Sequence, residues 1–178
     1  MDREDAKDLI RDAVPPGGAA WADLGAGDGT FTRALAELLG PSAKVYALDC
    51  DPRAIAALER LAKEIPAVRP VLADFEGAIH PPQGDGEALD GLLFANSLHF
   101  AADARSVLAR LVPWLRPGGR VVLVEYDRRP SSRWVPHPIP AESWPPLAAA
   151  TGLSRPLVVA RQRSAFGGDL YVGVAERI

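Results

Sequence analysis

Five short apolar segments, rich in branched and aromatic residues, recur through the first two thirds of the chain. They are AAWADLG (19–25), KVYALDC (44–50), VRPVLADF (68–75), LDGLLFAN (89–96) and GRVVLVEY (119–126). Runs of this length and composition are typical of strands buried on both faces of a sheet. Most are separated by segments with apolar residues at helical spacing, GTFTRALAELLG, PRAIAALERLAKEI and DARSVLARLVPWL.

Each predicted helix has a recognisable boundary. Gly40 closes the first, Pro52 opens the second and Asp103 caps the third. Strands that alternate with helices predict a parallel sheet covered on both sides. The connection at residues 76–88 is the exception, because its two prolines and three glycines predict a loop with at most a short helical turn.

Both ends of the chain follow other patterns. Near the start, apolar residues at helical spacing predict a helix within residues 1–14 that ends at PPGG. After Asp127 come a proline-rich loop, a short helix in AESWPPLAAATG that we expect to be broken at its prolines, and two strands joined by SAFGGD. We therefore predict one α/β domain over residues 1–178, with a core at 19–127 and a C-terminal helix and β-hairpin at 128–178. Its sheet is expected to be Rossmann-like, doubly wound, seven-stranded and mostly parallel, with an antiparallel C-terminal hairpin strand.

Composition narrows the functional classes. The 178 residues are 48 % hydrophobic, which suits one globular core. A net charge of −3 argues against a nucleic acid partner. No apolar run approaches the roughly 20 residues of a membrane span, and the charged first residues lack the apolar core of a signal peptide. A single cysteine, Cys50, suits a reducing compartment. These features predict a cytoplasmic protein with no membrane partner.

The clearest motif is WADLGAGDGTF (21–31), where Asp23 precedes glycines at positions 25, 27 and 29. A strand that enters such a turn and then a helix lets a ligand approach the backbone. The dinucleotide fingerprint requires a glycine where this chain has Thr30. A carboxylate at the strand end would also repel a pyrophosphate and attract an ammonium group. The turn therefore favours a nucleoside with a cationic, amino-acid-like tail.

The ends of the next strands support this interpretation. Asp49 lies 24 residues after Gly25, where a carboxylate can accept both hydroxyl groups of a ribose. Asp74, in LADFE, can accept from an exocyclic amine while Phe75 borders the base. Asn96, in FANSLHF, follows the fourth strand beside the mouth of the expected site.

From Ala19 to Ile178 the chain resembles the class I S-adenosylmethionine-dependent methyltransferases, in particular the small-molecule group. The Asp23–Gly29 run is the most specific part, and Asp49, Asp74, LRPGGRVVLVEYD (115–127) and the final hairpin add to it. The resemblance implies S-adenosyl-L-methionine as cofactor and a seventh strand inserted antiparallel between the fifth and sixth. It also implies nine cofactor-binding residues: Asp23, Gly25, Ala26 and Gly27 at the methionine moiety, Asp49 at the ribose, Cys50, Asp74 and Phe75 at the adenine, and Asn96 through its main chain.

The transfer reaction requires a nucleophile held in line behind the methyl group, at about 3–3.5 Å. A base is required only if that nucleophile arrives protonated. His99 is the best candidate for the base, with a structural role as the alternative, and Tyr126 could line the acceptor pocket or pack in the core. Trp134 and His137 are candidate substrate residues in the loop beyond. The three histidines and Cys50 show no metal-ligand spacing, so no metal is predicted.

Several other side chains have two open interpretations. Asp28 could face the substrate or cap the following helix. Arg128, Arg129 and Arg133 could recognise an acidic substrate or form solvated surface. Trp134 and Trp144 could form an apolar lid over the site or pack the terminal helix.

The acceptor is predicted to be a small molecule, with a protein side chain as the lesser alternative. Family members that methylate amino groups of nucleic acids carry Pro-Pro-aromatic after the fourth strand, whereas Asn96 is followed by SLHF. A binding module that no longer catalyses is a second hypothesis. A nicotinamide-dependent dehydrogenase is a third, disfavoured by Asp23 and the missing glycine. The short segments available to enclose an acceptor also leave open a homodimer in which a second subunit completes the pocket.

Overall fold

The computed structural model describes residues 2–17, 19–82, 84, 87–164 and 167–178. Its strands are β1 (Ala20–Leu24), β2 (Lys44–Asp49), β3 (Val68–Leu72), β4 (Leu89–Ala95), β5 (Leu115–Tyr126), β6 (Leu157–Arg163) and β7 (Asp169–Glu176). Its α-helices are α1 (Arg3–Ile10), α2 (Thr30–Leu39), α3 (Pro52–Glu64), α4 (Ala104–Leu111) and α5 (Trp144–Ala149). Single turns of 3-10 helix cover Leu98–Phe100, Val112–Trp114 and Ala141–Ser143.

The seven strands form one sheet in the order β3-β2-β1-β4-β5-β7-β6. The first five strands along the chain pair in parallel, whereas β7 is antiparallel to both β5 and β6. The predicted α/β, doubly wound, seven-stranded sheet is confirmed, including the antiparallel strand inserted between the fifth and sixth. The order reverses between β1 and β4, so a crevice opens at the carboxyl ends of these two strands.

Two apolar cores cover the two faces of the sheet. Successive strand residues alternate between them, as Trp21 and Ala22 do in β1. Helices α1, α2 and α3 pack on the face that includes Trp21, and α4 and α5 pack on the opposite face. Gly91 in β4 makes this packing possible, because a Cβ there would lie 2.4 Å from the indole of Trp21.

The predicted helix boundaries are confirmed. Asp51 and Asp103 cap α3 and α4 by accepting from the backbone N–H groups of Arg53 and Ser106, at 2.8 and 3.0 Å. Pro52 is the first residue of α3, where its missing N–H costs nothing. These local signals hold because they satisfy backbone groups at the helix ends, independently of distant contacts.

The expectation that prolines break the C-terminal helix is wrong. Helix α5 begins at Trp144, so Pro145 and Pro146 fall in its first turn, whose N–H groups have no partner within the helix. Trp144 is fully buried against Gly173, where a Cβ would lie 2.6 Å from its indole. Trp144 therefore packs the terminal helix and is not part of a lid.

The remaining connections agree with the sequence where they are described. No helix occurs in the described residues between β3 and β4, and residues 83, 85 and 86 of that connection lie outside the described part. Residues 165 and 166 of the hairpin turn also lie outside it. Within the described ranges, no helix has the length and apolar character needed to cross a membrane.

Candidate active site

A cavity of about 500 Å³ opens at the carboxyl ends of β1 to β4, where ligands bind in open α/β sheets. We call it the cofactor cleft. Of the nine residues that the sequence predicts at a cofactor, eight line it: Gly25, Ala26, Gly27, Asp49, Cys50, Asp74, Phe75 and Asn96. The chain thus brings the ends of four strands and the glycine turn to one place.

The glycine turn is held against its neighbours at Gly25. The N–H groups of Gly25 and Ala26 both donate to the carbonyl of Leu48, at 2.9 Å each. Gly25 has φ +78°, and a Cβ there would lie 2.6 Å from the Cβ of Ser97. Ser97 in turn donates to the carbonyl of Leu24 at 2.5 Å. Glycine is therefore required at position 25 both by conformation and by space.

Gly27 presents bare backbone to the cleft. Its N–H donates to Oδ2 of Asp49 at 2.8 Å, and Oδ1 of Asp49 accepts from the N–H of Asp51 at 2.9 Å. A Cβ on Gly27 would meet no atom of the described chain within 4 Å, so it would project into open cleft space. The turn therefore leaves space for a ligand at this point, with the carboxylate of Asp49 beside it.

Asp23 is the one predicted cofactor residue that does not line the cleft. Its side chain is buried behind the glycine turn, where Oδ2 accepts from the hydroxyl of Thr32 at 2.6 Å. Its Oδ1 is buried without a partner in the described chain. Burial raises the pKa of Asp23 to about 7, and the nearby charge of Asp49 adds to this while Thr32 opposes it. Asp23 therefore supports the turn from behind and titrates near neutrality.

The far side of the cleft is formed by the loop after β3. The backbone N–H of Glu76 donates to Oδ1 of Asp74 at 2.9 Å. Arg110, on α4, donates to the carbonyls of Phe75 and Glu76 at 3.0 and 2.8 Å. The ring of Phe75 packs edge-on against Phe94. Arg110 was not found from the sequence, because its contact with this loop is made across 35 residues of chain.

Cys50 forms part of the cleft wall. Its thiol has a raised pKa because of partial burial and the carboxylates of Asp49, Asp74 and Asp51. A raised pKa keeps the thiol protonated at neutral pH, so Cys50 is unsuited to act as a nucleophile. Asp28 accepts from both the N–H and the hydroxyl of Thr30, at 3.1 and 2.8 Å, but the N-cap residue of α2 is Gly29 and Asp28 also lines the cleft, so both interpretations of Asp28 stay open.

Asn96 stands where the cofactor cleft meets a second cavity. It is the one described non-glycine residue with a positive φ, +55°, and its N–H donates to the carbonyl of Val124 at 2.9 Å. Its side-chain oxygen is buried with no partner in the described chain. Backbone strain and an unsatisfied acceptor at a cavity junction are features that cluster at binding sites.

The second cavity, also about 500 Å³, is lined by Asn96, His99, Phe100, Tyr126, Arg129, Trp134 and Val135. We call it the acceptor cavity. It shares Asn96 and Phe100 with the cofactor cleft, so the two are adjacent. Three of the four predicted catalytic and substrate residues, His99, Tyr126 and Trp134, lie here. His137 does not line it, and its N–H instead donates to the carbonyl of His99 at 3.0 Å.

His99 is paired with a buried carboxylate. Its Nδ1 lies 2.6 Å from Oε2 of Glu125, and its backbone N–H donates to Oε1 at 3.2 Å. Burial raises the pKa of Glu125, while the hydrogen bonds and charge of His99 act in the opposite direction. His99 is 2 % exposed and lines the acceptor cavity, and its other ring nitrogen, Nε2, has no hydrogen bond in the described chain.

Glu125 was not found from the sequence. It lies in the apolar run of β5, and nothing in the run VVLVEY indicates which strand neighbour it meets. The carboxylate accepts from the backbone N–H of His99, and its contact with Nδ1 is a hydrogen bond whose direction depends on which of the two groups carries the proton. With the proton on Nδ1, Nε2 would carry a lone pair, so the position of His99 suits both a structural role and that of a base.

The loop at residues 127–143 contributes Arg129, Trp134 and Val135 to the wall of the acceptor cavity. Asp127 accepts from the N–H of Ala141 at 3.0 Å and is ion-paired with Arg161. A tight turn joins Ser132 and Val135 through reciprocal backbone hydrogen bonds of 3.0 and 3.2 Å, and it places Trp134 at its tip. These bonds hold the wall in place beside the cavity. The described residues contain no cluster of side chains that could hold a metal ion.

The cleft fits S-adenosyl-L-methionine by its donor set. Gly27 offers open space and bare backbone for a ligand, and the carboxylates of Asp49 and Asp74 border positions suited to hydroxyl and amine groups. The side-chain oxygen of Asn96, a residue that lines the cleft, is buried with no partner in the described chain and suits a donor group of a ligand. The fold and this cleft define the class I S-adenosylmethionine-dependent methyltransferases.

Comparison with known proteins agrees with this class. Residues 22–121 match the methyltransferase domain family, and the chain belongs to that family. Over 124 residues the chain is 36 % identical to an uncharacterized 37.1 kDa protein of a transposon from Streptomyces fradiae. That match covers 68 % of this chain but only 34 % of the relative, so the chain spans about a third of its length.

Similar solved structures share the fold. The 1,6-didemethyltoxoflavin-N1-methyltransferase of Burkholderia thailandensis, solved with S-adenosylhomocysteine, superposes with a TM-score of 0.72 at 23 % identity over 98 % of this chain and 77 % of that one. A SAM-dependent methyltransferase of Aquifex aeolicus gives 0.74 at 14 % identity, covering 96 % and 89 %. The cyclase SpnF gives 0.77 at 15 % identity, covering 98 % and 80 %.

Proposed function

We propose that this chain transfers a methyl group from S-adenosyl-L-methionine, held in the cofactor cleft, to a small molecule in the acceptor cavity, with His99 as general base. One observation carries the proposal. A buried, carboxylate-paired histidine lines a cavity that shares Asn96 and Phe100 with the cofactor cleft. A base in that position meets the geometric requirement for removing an acceptor proton beside the donor.

The cofactor cleft would bind the cofactor through the backbone of Gly25, Ala26 and Gly27 and through the carboxylates of Asp49 and Asp74. Asp23 would act from behind the turn, because a cation nearby favours its charged form. When bound, S-adenosyl-L-methionine supplies a methyl group that a nucleophile displaces in line from the sulfonium sulfur, which keeps the electron pair of the broken bond. The chain's own task is to hold the acceptor beside this cleft and exclude water.

The proton of the acceptor would pass to Nε2 of His99. Its other ring nitrogen then donates to Glu125, whose carboxylate stabilises the positive charge that forms on the ring. Glu125 acts through His99 and is therefore a positioning residue. Release of the proton from Nε2 to water after the acceptor leaves restores the starting state.

A small acceptor suits the size of the cavity. About 500 Å³ lies within the usual range for small-molecule pockets, and the wall at residues 127–143 is fixed by hydrogen bonds. The toxoflavin-type acceptor named for the Burkholderia structure is also a small molecule. A protein side chain that reaches into the cavity is the alternative, and a homodimer that adds a further wall and a cytoplasmic location also remain predictions.

A binding module without transfer activity is a second candidate, favoured by one comparison. SpnF, with the same fold, is named as a cyclase, so this fold does not require methyl transfer. In this chain, the base is His99 and not a residue of the glycine motif, so loss of activity would leave cofactor binding intact.

The test uses S-adenosyl-L-methionine labelled on its methyl group, incubated with the purified chain and a fractionated extract of small metabolites. We expect label in the small-molecule fraction, and a loss of it in His99→Gln, while both proteins bind S-adenosylhomocysteine equally. Label in protein would select the alternative acceptor class. Binding without transfer to either fraction would select the binding module, and no binding at all would contradict both.

A further inference from the structure

The acceptor cavity differs from the cofactor cleft in the charge of its lining. Its ionisable side chains are His99, Tyr126 and Arg129, and no carboxylate lines it in the described chain. The cofactor cleft is lined by Asp28, Asp49, Asp74 and Glu76. We propose, resting on the function above, that the acceptor is a planar aromatic compound with an anionic group, its ring against Phe100 and Trp134 and its anion paired with Arg129.

Two large aromatic side chains at the rim supply a surface for a planar ring. Phe100 is 49 % exposed and Trp134 is 63 % exposed, although both border a cavity. Exposed aromatic rings beside a cavity are a common sign of a binding surface. The guanidinium of Arg133 lies 4.5 Å from the centroid of the Trp134 ring, and the Ser132–Val135 turn fixes its base. This ring is therefore presented to the cavity in a defined orientation.

Arg129 supplies the charge. Its guanidinium lies 4.5 Å from the centroid of the Tyr126 ring, which holds it at the cavity by a cation–π contact. It forms no ion pair with any described residue, whereas Arg116, Arg120 and Arg161 each pair with a carboxylate. A half-buried guanidinium without a carboxylate is suited to bind one from a ligand, by two parallel hydrogen bonds.

The carboxylates nearest to Arg129 in the sequence already have hydrogen-bond partners. Glu125 accepts from His99, and Asp127 is held by the N–H of Ala141 and by Arg161. Neither lines the acceptor cavity. An anionic group on the bound molecule would therefore supply the partner that the lining of the cavity does not, and a neutral acceptor would leave that guanidinium unpaired.

The test compares three probe compounds in the presence of saturating S-adenosylhomocysteine. They are para-hydroxycinnamate, its neutral analogue para-hydroxycinnamyl alcohol, and cyclohexanepropionate, which is anionic but not planar. Calorimetric titration should show that para-hydroxycinnamate binds about tenfold more tightly than either of the others, as expected for one charged hydrogen-bonded pair.

Two variants test whether Arg129 causes this difference in affinity. Arg129→Gln should weaken binding of para-hydroxycinnamate about tenfold and leave the alcohol unchanged. Arg128→Gln removes an adjacent, exposed arginine that does not line the cavity, so it should change neither. The inference is overturned if the acid and the alcohol bind equally, if cyclohexanepropionate binds as tightly as para-hydroxycinnamate, if Arg129→Gln has no effect, or if no probe binds.

Titration of S-adenosylhomocysteine alone separates this inference from the proposed function. If the wild-type chain binds S-adenosylhomocysteine but the expected differences between the three probes are not seen, the proposed acceptor class is wrong and the assignment of the cofactor cleft is unaffected. If it does not bind, the proposed function has failed, and the acceptor class falls with it.

Discussion

The two halves of the site differ in charge and in how they are built. The cofactor cleft is lined by carboxylates and bare backbone and comes from strand ends and a glycine turn. The acceptor cavity is lined by aromatic rings, one histidine and one arginine, and its wall comes from the segment after β4, the end of β5 and the loop after β5. A cationic donor suits the first and an anionic or deprotonated acceptor suits the second. The fold therefore determines the cofactor cleft, whereas loops determine much of the acceptor cavity.

The largest expected effect concerns the base. His99→Gln removes the free ring nitrogen, so methyl transfer should fall by about 10²–10⁴-fold, the usual contribution of a general base. Because His99 lines only the acceptor cavity, the affinity for S-adenosylhomocysteine should stay within about twofold of that of the wild type. Initial rates with labelled cofactor and a titration of each protein measure the two quantities. Equal rates in the two proteins would show that His99 is structural only.

Glu125→Gln tests the pair of His99 and Glu125 by changing its buried carboxylate. The amide keeps the shape but loses the charge that stabilises a protonated His99 ring, so the rate should fall less than in His99→Gln. The pH dependence of the rate should also change, because the ring of His99 loses its carboxylate partner. A fall in rate with an unchanged pH profile would point to a packing role alone.

The next effect comes from Asp23 and is a change in stability. Its pKa is raised by burial from 3.8 to about 7 in the folded chain, so the folded state binds the proton more tightly than the unfolded state. The stabilisation is complete below the unfolded pKa and is lost as pH rises toward 7. Between about pH 5 and pH 7, the free energy of unfolding of the wild type relative to Asp23→Asn should fall by about 2 kcal/mol.

Urea unfolding of both proteins without cofactor, at several pH values, measures that difference. The wild type contains other titrating carboxylates, so only the difference between the two proteins reports on Asp23. A difference that does not change with pH would mean that Asp23 is charged throughout and that its unpartnered oxygen is satisfied in solution.

A smaller effect is expected from the surface of the glycine turn. Gly27→Ala places a methyl group in open cleft space, so it should weaken S-adenosylhomocysteine binding by about 1–3 kcal/mol, typical of an added group in a packed site. Gly40→Ala is the matched control, because Gly40 also has a positive φ and open surroundings but does not line the cleft. It should lower stability and leave affinity unchanged. Equal affinities in the two variants would mean that no ligand approaches Gly27.

The sequence predicted the cofactor cleft better than the acceptor cavity, for a physical reason. Asp49, Asp74 and the glycine turn are set by the ends of strands, and each strand could be located from its apolar run. Asp23 lies in β1 as predicted, but the sequence analysis expected its side chain at the ligand. The alternation of residues along a strand does not show whether a side chain enters the cleft or lies buried behind the glycine turn. The contact of Asp23 with Thr32 depends on where α2 packs.

Other features depend on contacts between distant segments. Ser97 fills the space next to Gly25, Arg110 holds the loop after β3, and Glu125 pairs with His99. Each pair joins residues more than 25 positions apart, so local spacing does not reveal it. Trp134 and Trp144 had the same open alternatives in the sequence, and only the sheet packing placed one at the cavity rim and the other in the core.

The most direct test of the account is a calorimetric titration of S-adenosylhomocysteine and of NADH into the wild-type chain and Asp49→Asn. The carboxylate of Asp49 borders the cleft and organises Gly27 and Asp51. We predict that S-adenosylhomocysteine binds, that Asp49→Asn weakens it about tenfold, as the loss of a charged hydrogen bond should, and that NADH does not bind. Binding of NADH alone, or of neither compound, would contradict the assignment of this cleft to S-adenosyl-L-methionine.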